Sequence, residues 1–95
     1  MENNTCNGWK NYCTWVTALW IDNEESTYKY FREIVQEIRE ENEDKNEQRY
    51  QLAERIKDYI EDNAPEIPAS VYSDLIGFAI SEIDFDEIAE NMLEE

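Results

Sequence analysis

The apolar residues of this chain recur mostly at intervals of three and four, the spacing that places side chains on one face of a helix. This spacing predicts five helices. Three of them, near residues 24–38, 47–62 and 84–93, combine one apolar stripe with a charged opposite side. Their predicted buried faces are Tyr28, Phe31, Ile34, Val35 and Ile38, then Leu52, Ala53, Ile56, Tyr59 and Ile60, then Phe85, Ile88, Ala89 and Met92.

The other two predicted helices are apolar on nearly every side. The first, at about residues 12–22, carries Tyr12, Trp15, Val16, Leu19 and Trp20 on one face, with mostly small or apolar residues elsewhere. The fourth, at about residues 70–82, carries only two charges, those of Asp74 and Glu82. Because such helices are usually buried, we expect these two to be the most buried of five helices. The predicted fold is an all-α, compact single-domain bundle.

Capping residues and breaks set the predicted ends of the helices. Asn11 precedes the first helix as a cap, and residues 39–49 lack any apolar side chain, which indicates a break. Pro65 and Pro68 end the third helix because proline cannot continue one. Asp84 begins the fifth helix, with a glutamate three residues later as its capping-box partner.

The length of 95 residues allows one domain with a single core, so residues 1–95 are predicted to form one helical domain. Residues 1–6 are expected to be a short frayed tail. The N-terminus lacks the basic and apolar regions of a signal peptide, and no segment is long enough to span a bilayer. A cytoplasmic protein is expected, with Cys6 and Cys13 as free thiols rather than a disulfide.

The residue types present argue against several chemistries. The chain has no histidine and only two glycines, which removes the commonest general base, mixed zinc sites and glycine-rich phosphate loops. The run beginning at Asp84 resembles a calcium loop only superficially, because Ile88 and Ala89 stand where a ligand and a glycine are needed. We therefore expect no enzyme activity, no cofactor and no metal site.

Charge is the most informative feature of the composition. The 24 acidic and eight basic residues give a net charge of −16, and residues 64–95 contain nine acids and no base. Several acids in the middle segment stand four residues apart, where like charges cost a few tenths of a kcal/mol per pair. We predict two groups of partner-binding acids: Glu33, Glu37, Glu40, Glu41 and Asp44, and Asp84, Asp86, Glu87, Glu90 and Glu94.

Both ends of the chain carry recognisable motifs. The first reads Asn7-Gly8-Trp9, Asn11-Tyr12, Thr14-Trp15 and Leu19-Trp20-Ile21-Asp22-Asn23, and the second contains Glu87-Ile88-Ala89. Together they resemble a family of small uncharacterised proteins carried by phages, prophages and other mobile elements. Cys13 and Phe85 depart from the pattern, where an acidic residue and a tryptophan are usual. The resemblance implies a shared fold and a mobile-element setting, and it supplies no catalytic residue.

Three interpretations of the acidity follow. The protein is an interaction module whose acidity only keeps it soluble, or it mimics nucleic acid and inhibits a defence system of its prokaryotic host, such as a restriction or CRISPR component. The expected partner is a protein with a basic surface. Adaptation to high salt is the third, but the 17 glutamates outnumber the seven aspartates. Direct nucleic-acid binding is disfavoured because the aromatic residues lack a basic groove beside them.

Overall fold

Five α-helices make up the computed structural model, which describes residues 5–95. They are α1 (Tyr12–Asn23), α2 (Glu25–Glu41), α3 (Lys45–Asn63), α4 (Val71–Ser81) and α5 (Phe85–Leu93). Residues 5–95 contain no β-strand, only an isolated antiparallel bridge between Cys6 and Trp9. The expected all-α, single-domain bundle of five helices is confirmed.

The core lies where α2, α3 and α5 meet, and one side of α1 closes it. Its buried apolar residues are Ala18 and Ile21 from α1, Phe31, Ile34, Val35 and Ile38 from α2, Leu52, Ala53 and Ile56 from α3, and Ile88, Ala89 and Met92 from α5. Most of the residues predicted for the stripes of α2, α3 and α5 are therefore in the core. Tyr59 extends it, with its ring centroid 5.3 Å from that of Phe31 in an edge-on arrangement.

Side-chain caps begin α1 and α5 at the predicted residues Asn11 and Asp84. The predicted capping box of α5 is incomplete, because the Asp84 N–H donates to Thr14 Oγ1 and the Glu87 carboxylate accepts from the Lys10 N–H. Asn11 Oδ1 accepts from the Thr14 N–H at 2.8 Å, and Asp84 Oδ1 accepts from the Glu87 N–H at 3.1 Å. Ser70 begins α4 in a capping box with Ser73, at 3.3 and 2.9 Å. These bonds satisfy N–H groups that have no partner within the helix.

A tight turn precedes α1. Cys6 and Trp9 exchange two backbone hydrogen bonds of 2.8 Å, and the central residues Asn7 and Gly8 have φ of 52° and 89°. Asparagine followed by glycine is the pair that most readily adopts positive φ twice in succession. Of the predicted frayed tail 1–6, residues 1–4 lie outside the described residues, whereas Cys6 is fixed by this turn.

The prediction that α1 is among the most buried helices is wrong in its detail. Only Thr14, Ala18 and Ile21 are buried, and they lie on the side opposite the aromatic face that the spacing selected. Tyr12 and Trp20 are 61% and 64% exposed. Small side chains on the inner face let α1 approach α2 and α5 closely, so the large rings point outward.

The prediction that α4 is a core helix is also wrong. None of its residues is buried, and its close packing with the rest of the bundle is slight compared with that between α3 and α5. Val71, Tyr72, Leu75 and Phe78 are exposed. The buried apolar residues of the core all come from the other four helices, and α4 lies beside Lys57 and Glu61 of α3 across an open gap.

The described helices include none that combines the length and hydropathy needed to cross a bilayer.

Candidate interaction surfaces

The first group of predicted acids forms a row along the outside of α2. Glu33, Glu37, Glu40 and Glu41 are all exposed, and no lysine or arginine of residues 5–95 forms an ion pair with them. We call these four residues the acid row. The fifth predicted member, Asp44, lies beyond the end of α2, where its carboxylate caps α3 by accepting from the Asn46 N–H at 2.9 Å.

Two members of the second group hold the protein together instead of facing a partner. Asp84 caps α5 and lies 3.8 Å from the Lys10 ammonium group, while Glu87 Oε1 accepts from the Lys10 N–H at 2.9 Å. The Asp84 N–H donates in turn to Thr14 Oγ1 at 2.9 Å. Asp84 and Glu87 therefore join α5 to the segment before α1, through contacts with a residue far away in sequence.

The remaining acids of the second group lie apart from one another. Glu90 and Glu94 border a groove of about 520 Å3 that is also lined by Arg39, Lys45 and Arg49, so bases from α2 and α3 surround them. Asp86 is exposed at the start of α5. The ten predicted residues thus do not form one surface, and among them the acid row is the largest set of exposed acids on one helix face that forms no ion pair within residues 5–95.

The C-terminal residue adds a further electrostatic contact. Arg32 Nη1 lies 3.0 Å from Glu95 Oε1, and Arg39 Nη2 donates to the Leu93 carbonyl at 2.5 Å, so two arginines of α2 fasten the end of the chain. Asp22 lies in the same region. Burial raises the pKa of Asp22, and repulsion from the Glu95 carboxylate raises it further.

Two exposed apolar surfaces contain residues that were predicted to lie in the core. One is the outer side of α4, where Val71, Tyr72, Leu75 and Phe78 are 62%, 66%, 59% and 64% exposed; we call it the α4 stripe. The signal that could have revealed it is the count of apolar helices, because a chain this short cannot cover two of them on all sides.

The second apolar surface is a groove between α1 and α3, which we call the α1–α3 groove. It has a volume of about 610 Å3 and is lined mainly by Val16, Trp20, Ile21, Tyr59 and Ile60. The aromatic motif near the N-terminus therefore contributes to an open surface. Tyr59 links this groove to the core, since its hydroxyl lies 3.4 Å from Thr27 Oγ1 and its ring packs on Phe31.

Residues with metal-binding or redox chemistry form no site in the part of the chain that is described. Within residues 5–95, no three cysteine, aspartate or glutamate side chains are grouped closely enough to hold a metal ion. Cys6 and Cys13 are both free and half-buried. A groove of about 520 Å3 between the start of α5 and α3 is lined by Lys10, Tyr50, Lys57 and Asp86 among others, and is widely open.

These features define a small, acidic, all-α protein with an exposed row of acids and two exposed apolar surfaces. The chain belongs to DUF7249, a family of unknown function, whose model matches residues 2–95. Neither the comparison with curated proteins nor the comparison with solved structures gives a match.

Proposed function

We propose that this protein acts by binding another protein, and that the partner presents a basic surface to the acid row of α2. One observation carries the proposal. Within residues 5–95, Glu33, Glu37, Glu40 and Glu41 are exposed and form no ion pair, whereas most of the other predicted acids cap helices, contact Lys10 or line a groove together with arginines.

Charge repulsion within the acid row indicates that these acids serve a purpose other than stabilising the fold. Glu33 with Glu37 and Glu37 with Glu41 are like-charge pairs at i, i+4, and each destabilises a helix by about 0.2–0.5 kcal/mol. Among the described residues, the one polar side-chain contact to the acid row is long, from Gln36 Nε2 to Glu40 Oε2 at 3.5 Å. Because these residues weaken the monomer slightly, folding does not explain their presence.

A complementary partner would carry lysine or arginine side chains spaced along an extended surface. Complementary charges speed association and select the partner more than they raise affinity, and their effect weakens as salt screens them. The proposed complex should therefore form fastest at low salt.

A second candidate function is inhibition of a nucleic-acid-binding host protein by mimicry, in the mobile-element setting that the sequence motifs suggest. At about 1.5 Å per residue, the four carboxylates from Glu33 to Glu41 span roughly 12 Å of helix. That gives one charge per about 4 Å, close to the 3.4 Å per phosphate along one DNA strand. A groove that binds a phosphate backbone would then also accept α2.

The two functions are tested together by capture from a prokaryotic host lysate. The bait is the wild-type protein, the acid-row variant E33Q/E37Q/E40Q/E41Q, or the control variant E54Q/D58N/E61Q/D62N, which removes the same charge from exposed positions of α3. Retained proteins are released first with a short DNA duplex and then with salt. We expect a basic protein to be retained by the wild type and the control, and to be lost from the acid-row variant.

The order of release separates the two candidates. Release by DNA supports mimicry, while release by salt alone supports binding to a basic surface that does not bind nucleic acid. Equal retention by all three baits contradicts the acid-row proposal. Equal loss from both variants also contradicts it, because overall charge alone would then explain retention. Circular dichroism should show the acid-row variant to be at least as stable as the wild type, since repulsion is removed.

A further inference from the structure

The α4 stripe is an apolar face without a partner. Successive residues of a helix are about 100° apart, so Val71, Leu75, Phe78 and Tyr72 fall within roughly 120° of one another around α4. They are each about 60% exposed. Asp74 is the only charged residue of α4, and it lies to one side of the stripe. A contiguous face of this kind on a monomer indicates an interaction site.

The α1–α3 groove is an apolar recess that no side chain of residues 5–95 fills. The side chains of Val16, Trp20, Tyr59 and Ile60 line it, and Glu24 is its only charged residue. Its volume of about 610 Å3 falls within the range of pockets that bury several side chains or a small ligand. The same chain thus carries a protruding apolar helix and an apolar recess.

The α4 helix of the same chain does not fill this recess. Its Gly77 and Ile80 face Lys57 and Glu61 across a separate gap of about 420 Å3, on another side of α3. The end of α4 is held at the start of α1, because Asn11 Nδ2 donates to the Glu82 carbonyl at 2.7 Å. The stripe and the groove of one chain are therefore kept apart.

Surface area decides between two ways of pairing the stripe. With about 170 Å2 for each side chain, four residues exposed by about 60% present roughly 400 Å2. Two stripes packed against each other would bury about 800 Å2, below the 1,200–2,000 Å2 of specific interfaces. Placing each stripe in the groove of the other copy would double the buried area to roughly 1,600 Å2.

We propose that the occupant of the α1–α3 groove is the α4 stripe of a second copy of this chain, in a reciprocal two-fold dimer. Each copy supplies one helix and one groove, so the contact closes on itself. This inference does not depend on the acid row, which lies on α2 and outside both contacting surfaces.

The charge distribution permits this dimer and sets its response to salt. Each contacting surface carries one acid, Asp74 on the stripe side and Glu24 at the groove, while the rest of the −16 charge lies outside. The two copies repel each other over a distance that shrinks to about 8 Å at physiological ionic strength. Dimerisation should therefore strengthen as salt rises, opposite to the binding of a basic partner.

Sedimentation velocity of the purified full chain tests the proposal. Wild-type protein is measured over a range of concentrations at low and at high sodium chloride. We expect a monomer–dimer equilibrium whose dissociation constant falls at least several-fold at high salt. A monomer at every concentration and salt, or a dimer that salt dissociates, would overturn the proposal and leave α4 for an unrelated partner.

Three variants locate the contact. Phe78→Glu alters the stripe, Trp20→Glu alters the groove, and Tyr50→Glu is the matched control, because Tyr50 is an aromatic residue of α3 that is 59% exposed and outside both surfaces. We expect Phe78→Glu and Trp20→Glu to raise the dissociation constant at least tenfold and Tyr50→Glu to change it less than twofold. The three residues are exposed, so circular dichroism should show each variant folded.

Mixing the two interface variants gives a second readout. A reciprocal dimer retains one intact contact when the stripe of the Trp20→Glu chain enters the groove of the Phe78→Glu chain. The mixture should therefore dimerise more tightly than either variant alone. A wild-type dissociation constant for Trp20→Glu would contradict the groove contact and indicate that two α4 stripes pair directly.

Discussion

Thr14 explains, at the scale of a single residue, why a threonine precedes the second tryptophan of the N-terminal motif. It is the one fully buried polar side chain among the described residues. Its hydroxyl donates to Asn11 Oδ1 at 2.7 Å and accepts from the Asp84 N–H at 2.9 Å. The hydroxyl thereby fastens α1 to the start of α5 across 70 positions of sequence, a role that spacing alone does not reveal.

Replacing Thr14 by valine should cost about 1–3 kcal/mol of unfolding free energy, because the Asp84 N–H and the Asn11 oxygen lose a partner in a place that water reaches poorly. Thr17→Val is the matched control. The Thr17 hydroxyl only donates to the Cys13 carbonyl one turn earlier, at 2.8 Å, and its loss should cost little. Urea melts of both variants measure the difference, and equal losses would contradict the role given to Thr14.

Asp22 should make stability depend on pH. Burial and the Glu95 carboxylate raise its folded-state pKa above the ordinary value of 3.8, so the folded state keeps a proton that the unfolded state has lost. Stability therefore falls as the pH rises from 3.8 through the raised pKa, and the loss persists at neutral pH. Asp22→Asn removes it.

The Asp22→Asn variant should thus be more stable than the wild type at pH 7, and this difference should shrink as the pH falls toward 3.8. Chemical melts at several pH values, with the exposed Asp58→Asn as control, provide the measurement. A stabilisation of Asp22→Asn that does not change with pH would show that removal of the negative charge is not its cause, and would contradict the raised pKa as the source of the effect.

At the scale of elements, the sequence was a good guide to α2, α3 and α5 and a poor one to α1 and α4. The first three have one apolar stripe each, so the periodicity also identifies the buried side. In α1 and α4 nearly every side is apolar, and no polar face indicates which side meets solvent. The spacing predicted that the face of α1 with the large aromatic rings is buried, whereas the buried face in the structure consists of Thr14, Ala18 and Ile21.

The candidate site was predictable to a similar extent. The acid row follows from the local spacing of acids on α2, and no lysine or arginine of residues 5–95 forms an ion pair with it. Local spacing was also used to predict that the acids near the C-terminus bind a partner. It fails there because several of these acids contact residues that are far away in sequence. Lys10 reaches Asp84 and Glu87, and Arg39 lies beside Glu90.

The whole molecule is more extended than its length requires. Its radius of gyration is 14.2 Å, whereas about 12 Å is typical of a compact domain of this size. The exposed position of α4 is consistent with this larger radius of gyration. Because α4 is exposed, its apolar side chains face solvent in a chain that otherwise carries a net charge of −16.

Hydrogen–deuterium exchange of the dilute protein at low salt tests most directly whether the core excludes α4. We expect strong protection for the amides around Leu52 and Ile56 in α3 and around Ile88 in α5, where the side chains are buried. We expect weak protection for the amides from Leu75 to Ser81, because α4 buries no residue. Protection of α4 should rise at high salt and high concentration as the second copy covers it. Equal protection of α4 and α3 in the dilute, low-salt sample would contradict the exposed position of α4 and show that α4 is part of the core.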